Sequence, residues 1–163
     1  MSERDSAPNR APGGRAAGGE PERVVVGVDG SVSSKSALRW AIRQAGLTHG
    51  VVEAVISWQL PPYYGSLGWM PSPVDYDPAT TAERVLKDAV EEVAGQKPPV
   101  EIRIEVVHAG AADALLDAAR DASLLVVGSR GHGGFTGAVL GSVAQHCTQH
   151  SPCPVVVVRG PDR

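Results

Sequence analysis

Residues 124–142 read LLVVGSRGHGGFTGAVLGS. Leu124 to Val127 is an apolar run short enough to be a buried strand, and Gly128 stops it. Arg130 precedes Gly131, and after a loop Gly141 and Ser142 open a segment with helical apolar spacing. Strand, glycine loop, helix start is an order that builds an anion site. The first backbone N–H groups of a helix lack partners and carry partial positive charge. Glycines let a phosphate approach that backbone closely. The spacing is G-x2-G-x9-G-S, on Gly128, Gly131, Gly141 and Ser142. The competing reading makes these glycines turn and cap residues only.

Downstream, residues 141–150 form a helix that Pro152 stops, and Pro154 to Val158 is a last strand of four valines. Upstream, Ala111 to Arg120 is a helix through Leu115, Leu116 and Ala119. From Val100 to Val107, Val100, Ile102, Ile104 and Val106 alternate with Glu101, Arg103 and Glu105, which predicts a half-exposed strand at a sheet edge. Ala79 to Ala94 is a helix with Val85, Leu86, Ala89, Val90 and Val93 on one face. Val51 to Trp58 is a strand, and Arg23 to Val28 (RVVVGV) another. Continuous β-branched runs suggest parallel strands covered on both faces. Between these two strands Leu38, Ala41, Ile42 and Ala45 recur at helical spacing. Ser33 or Ser34 is the expected N-cap of that helix, and Gly46 or Gly50 its end.

Two segments stand outside this pattern. Residues 1–21 contain no Val, Ile, Leu, aromatic or Cys, so they cannot bury enough apolar surface to offset their ordering entropy. A disordered tail is expected there, with one domain over residues 22–163. The stretch Gln59 to Pro78 holds five prolines, and with Trp58 it carries five of the seven aromatics. Long loops in compact domains are usually functional or disordered. This one is expected to pack over the site or a partner, or to cover its own core edge.

Composition narrows the function classes. Of 163 residues 42% are hydrophobic and 20% charged, a globular profile. The net charge of −3 provides no basic field for nucleic acid. No apolar run approaches membrane-spanning length, and the N-terminus has no secretory core segment, so a cytoplasmic protein is expected. Cys147 and Cys153 are too few for a disulfide framework and read as small buried hydrophobes. No G-x4-G-K-[ST], G-x-G-x-x-G or G-x-S-x-G motif is present. His108, His146 and His150 form no H-E-x-x-H pattern, and no metal-ligand set is expected. His132 reads as a surface residue of a glycine-rich loop.

The glycine spacing, with VVVGVDGS near the start and SPCPVVVV at the end, resembles the universal stress protein family, and more narrowly its ATP-binding branch. The likeness runs from about Glu22 to Arg159. The order β-α-β-α-β-α-β-α-β already reads as an α/β fold with a parallel sheet between helices. The resemblance implies an open five-stranded sheet of order 3-2-1-4-5, Rossmann-like. In such sheets ligands bind beyond the strand carboxyl ends where the order reverses. The resemblance further implies ATP, with Mg2+, as ligand. Asp29 would bear on ribose or metal, and the backbone at Ser57 would read the adenine edge. Gly128 and Gly131 would line the ribose and phosphate path, and Gly141, Ser142 and the Val143 amide would cradle phosphates. Arg130 would neutralise phosphate charge or stay solvated. On residues alone, Asp29 can instead be an Asx turn and Ser142 a plain N-cap. No catalytic residue is expected.

The leading expectation is an ATP-binding regulatory, stress-response module that forms a homodimer through Val155 to Val158, whose four valines would otherwise be an exposed edge. The alternatives are a slow ATPase or nucleotidyl-transfer enzyme, and a nucleotide-free scaffold acting through the aromatic loop.

Overall fold

Val24, Val25 and Val26 are buried, because helices cover both faces of the strand they form. The computed structural model describes residues 19–60, 76–132 and 140–161. Nearly all of the expected tail and most of the aromatic loop lie outside the described residues. The elements are β1 (Arg23–Gly27), α1 (Val32–Thr48), β2 (Val51–Trp58), α2 (Pro78–Ala94), β3 (Ile102–His108), α3 (Ala111–Ala118), β4 (Leu124–Gly128), α4 (Ser142–His150) and β5 (Val155–Val158). All strand pairs are parallel, in the order β3-β2-β1-β4-β5. The expected α/β fold and strand order are therefore the observed ones.

The sheet divides the core in two. Val24 and Val26 face α1 and α2, with Leu38, Ala41 and Leu86. Val25, Val55 and Leu125 face α3 and α4, with Leu115 and Cys147. Each large aliphatic side chain so buried stabilises the fold by about 1.5–3 kcal/mol relative to exposure. Alanines 37, 41 and 45 on α1 are fully buried, and α1 rests on β1 and β4. Cys147 is buried and its thiol is pushed up to about 11 by burial, so it stays neutral and packs as a small hydrophobe. Cys153 departs from expectation: it is only half-buried, with Sγ 3.6 Å from Ser151 Oγ.

The ends of α1 also differ from expectation. Its N-cap is Ser31, whose side chain accepts from the Ser34 amide at 3.2 Å. Asp29 sets this register by turning the chain two residues earlier. At the other end Gly46 lies inside the helix. His49 takes the left-handed conformation at φ 54°, and Gly50 donates to Ala45 O at 2.9 Å. A Cβ on Gly50 would lie 2.6 Å from Glu22 O, so this position needs glycine for close approach.

Arg23 ties the amino end of the sheet to α3. Its guanidinium makes a two-pronged pair with Glu53, Nε to Oε2 at 3.0 Å and Nη2 to Oε1 at 3.1 Å. It also donates to Ala118 O at 2.9 Å and Arg120 O at 3.2 Å. The Glu105 carboxyl is raised by burial and by the neighbouring Glu53, while Arg23 opposes the rise. Replacing Arg23 with Met removes four hydrogen bonds and leaves two partly buried carboxylates together. The expected loss is about 1–3 kcal/mol in urea unfolding. A loss within error would show the network to be ornamental.

Candidate functional site

Strands β1 and β4 are neighbours, yet their following helices leave on opposite faces of the sheet. That opens a crevice beyond their carboxyl ends. A cavity of about 380 Å³ occupies it. All eight residues expected at a site line it: Asp29, Ser57, Gly128, Arg130, Gly131, Gly141, Ser142 and Val143.

Asp29 joins the two sides. Its Oδ1 accepts from the Ser31 amide at 2.9 Å, an Asx turn, and its Oδ2 accepts from the His132 amide at 3.2 Å. The Asx turn open to this residue on sequence alone is present, and a long-range bond to the glycine loop accompanies it. The His132 ring returns to Asp29 O, with Nε2 at 3.0 Å. Burial alone would raise the Asp29 carboxyl. Hydrogen bonds from Ser31, Ser34 and His132 outweigh it and hold the group below its ordinary value of 3.8.

The glycines allow close approach. A Cβ on Gly131 would lie 2.7 Å from Asp29 Oδ2. One on Gly128 would lie 2.5 Å from Ser33 Oγ and 2.8 Å from the Ser33 carbonyl carbon. Gly141 N donates to Ser129 O at 2.7 Å, which folds the loop back onto the end of β4. Gly141 is the N-cap of α4, with no side-chain cap bond. Ser142 is therefore the first helical residue and not the cap, a correction to the plain N-cap alternative. The first-turn amides of α4 have no intrahelical partner and face the cavity that Ser142, Val143 and Ala144 line.

Ser57 lies one step beyond the end of the β1–β2 ladder. The last cross-bond there runs from Val28 N to Val55 O at 2.9 Å. Alternate residues of β2 share a side, so the Ser57 amide and carbonyl extend past β1 toward the crevice. A paired donor and acceptor on one edge suits a planar heterocycle.

The profile of the universal stress protein family matches residues 21–159. The chain belongs to the universal stress protein family. A universal stress protein of Mycolicibacterium smegmatis is 34% identical over 147 residues, covering 86% of this chain and 49% of the relative. The chain thus spans about half the length of the curated relatives it matches. Among solved structures, the Lactobacillus plantarum protein UspA has TM-score 0.69 at 21% identity and covers 86% of this chain and 99% of its own. A universal stress protein solved with cAMP has TM-score 0.60 at 26% identity, covering 88% and 100%.

Sequence reasoning missed part of this universal stress protein's cleft. His132 is exposed, as expected of a surface loop residue, but it also lines the cleft, with its amide and ring both on Asp29. Ser33 Oγ accepts from the Arg130 amide at 3.3 Å, and Ser34 Oγ accepts from the Asp29 amide at 3.3 Å. Ala111, Ala114 and Leu115 of α3 form a wall. Gly110, the N-cap of α3, makes no side-chain cap bond, whereas α1 and α2 are capped by Ser31 and Asp77. Both helices without a side-chain cap, α3 and α4, line the cavity with their first turns, as does Ser34 of the capped α1. Glycine at both N-caps was the available signal. Among the described residues no cluster of three or more His, Cys, Asp or Glu could hold a metal, and no helix is long and apolar enough to cross a membrane.

The lowered Asp29 carboxyl sets a pH window. Its stabilisation is complete above the ordinary value of 3.8 and is lost as pH falls through its lower folded value. Asp29→Asn should therefore lower the melting temperature by a constant amount near neutrality, and the difference should shrink below about pH 4. A difference that grows on acidification would refute this role for the ionised Asp29.

Proposed function

We propose that this universal stress protein is an ATP-binding regulatory module of the family's ATP-binding branch, acting in the cytoplasm as a homodimer that senses or stores adenine nucleotide during stress. The observation that carries the reading is the convergence of Asp29, the Ser57 backbone and the glycine loop on one cleft at an uncapped helix start. The cAMP named for a structural relative supports an adenine nucleotide as the class of ligand.

The residues fit the parts of ATP by chemistry. The Ser57 amide and carbonyl match the donor and acceptor of the adenine edge. The α4 amides with the Ser142 hydroxyl would hold phosphate oxygens. Asp29 keeps lone pairs beyond its two backbone bonds for ribose or Mg2+. Mg2+ needs only one or two carboxylates when phosphates supply other oxygens. Among the described residues no lysine lines the cleft, and Asp29 and the His132 ring are engaged with each other's segments, which favours holding nucleotide over cleaving it.

The test is to denature the purified protein and chromatograph the released small molecules. A near-stoichiometric ATP peak is expected, lost in Gly131→Val, where the new side chain meets Asp29. An ADP peak would favour the slow-ATPase reading. No peak, with no binding of added Mg-ATP, would overturn nucleotide binding.

Dimerisation is proposed through β5. Leu125 N donates to Pro154 O and Ser129 N to Val158 O, so the even-numbered residues of β5 bond to β4. Val155 and Val157 therefore turn their backbone groups to the open edge. Val157→Pro removes an edge donor without touching the internal ladder. It should shift the protein to monomer in light scattering, and an unchanged dimer would reject this edge as the interface.

A further inference from the structure

The stretch His146-Cys147-Thr148-Gln149-His150 spaces two histidines four residues apart on α4. That is the histidine spacing of the zinc motif H-E-x-x-H, with cysteine where the glutamate would stand. Residues four apart share one face of a helix. Both histidines are exposed, and their rings lie with centroids 4.5 Å apart at an interplanar angle of 47°. Cys147, between them in sequence, is turned into the core.

We propose that His146 and His150 form a two-imidazole clamp for a borderline divalent cation of the Zn2+ class. Two nitrogens on one Zn2+, each about 2.0–2.1 Å from it, sit roughly 3 Å apart. Side-chain rotation brings rings at the observed separation to that spacing, with no movement of the helix. The surroundings favour a cation. Helix α4 carries no Lys or Arg, and its carboxyl end, where His150 lies, bears partial negative charge. Imidazole is a ligand of choice for Zn2+ and Cu2+ and a poor one for Mg2+ or Ca2+. No third His, Cys, Asp or Glu among the described residues completes the set, so solvent fills the remaining positions. The missing glutamate leaves no general base beside the metal. The clamp binds and does not hydrolyse. It is separate from the nucleotide cleft, and its failure or success is independent of ATP binding.

The test uses the untagged full chain, free of nucleotide, titrated with Zn2+ alone in a calorimeter. One Zn2+ per chain is expected. His146→Asn and His150→Asn should each weaken binding by at least about tenfold, since each leaves a single ligand. His49→Asn, distant in sequence and capping α1, should leave it unchanged. Histidine-side-chain NMR of the unmutated protein reads the same site directly: Zn2+ should shift the imidazole nitrogens of His146 and His150 together. Absence of saturable binding, retained affinity in both variants, or shifts confined to other histidines would each overturn the clamp.

Discussion

The pairing of β1 with β4 is the constraint on which the molecule depends. Val24, Val25 and Val26 align with Leu124, Leu125 and Val126 in the middle of the sheet. One crossover leaves β1 over one face and the next leaves β4 over the other. The backbone therefore diverges where these two strands end. The core is built for the same purpose. Alanines on α1 let that helix settle across both central strands, and Gly128 admits its first turn against the end of β4.

What diverges must still be held in register, and Asp29 does this. One carboxylate oxygen fixes the turn into α1 and the other fixes the glycine loop 103 residues later. Gly131 is what lets the loop come so near, because any Cβ there would collide with that carboxylate. The local turn and the long-range tie use the same group, so the two halves of the cleft are positioned relative to one atom set. The helices contribute by what they lack. Side chains satisfy the starts of α1 and α2, while the starts of α3 and α4 keep free amides on the cavity side.

Much of this was legible in the residues. Apolar runs and helical spacings marked all nine elements, and Glu101, Arg103 and Glu105, alternating with apolar residues, placed β3 at an edge because an interior strand would bury them. The eight expected site residues fall on one cavity, since glycines, a strand end and a helix start carry their role in local backbone chemistry. The errors have a common physical source. Ser33 and Ser34 are as good N-caps as Ser31 by residue type, and only the Asp29 turn selects among them. His132 is the surface residue its loop predicts, but its bonds to Asp29 across the cleft leave no local signal. Cys153 packs at the margin of the cluster in which Cys147 is buried.

By itself the sequence determined the strand–helix alternation, the glycine loop and its helix start, because each is set by neighbours within a few residues. The tertiary structure alone decided that β1 lies beside β4 in fact, that His132 closes on Asp29, that α3 supplies a wall of the cleft and that the helix face carrying His146 and His150 is left exposed. These are contacts between segments far apart in the chain, or exposures created by packing. Their free energy exists only once the sheet has brought the segments together, so no local pattern records them.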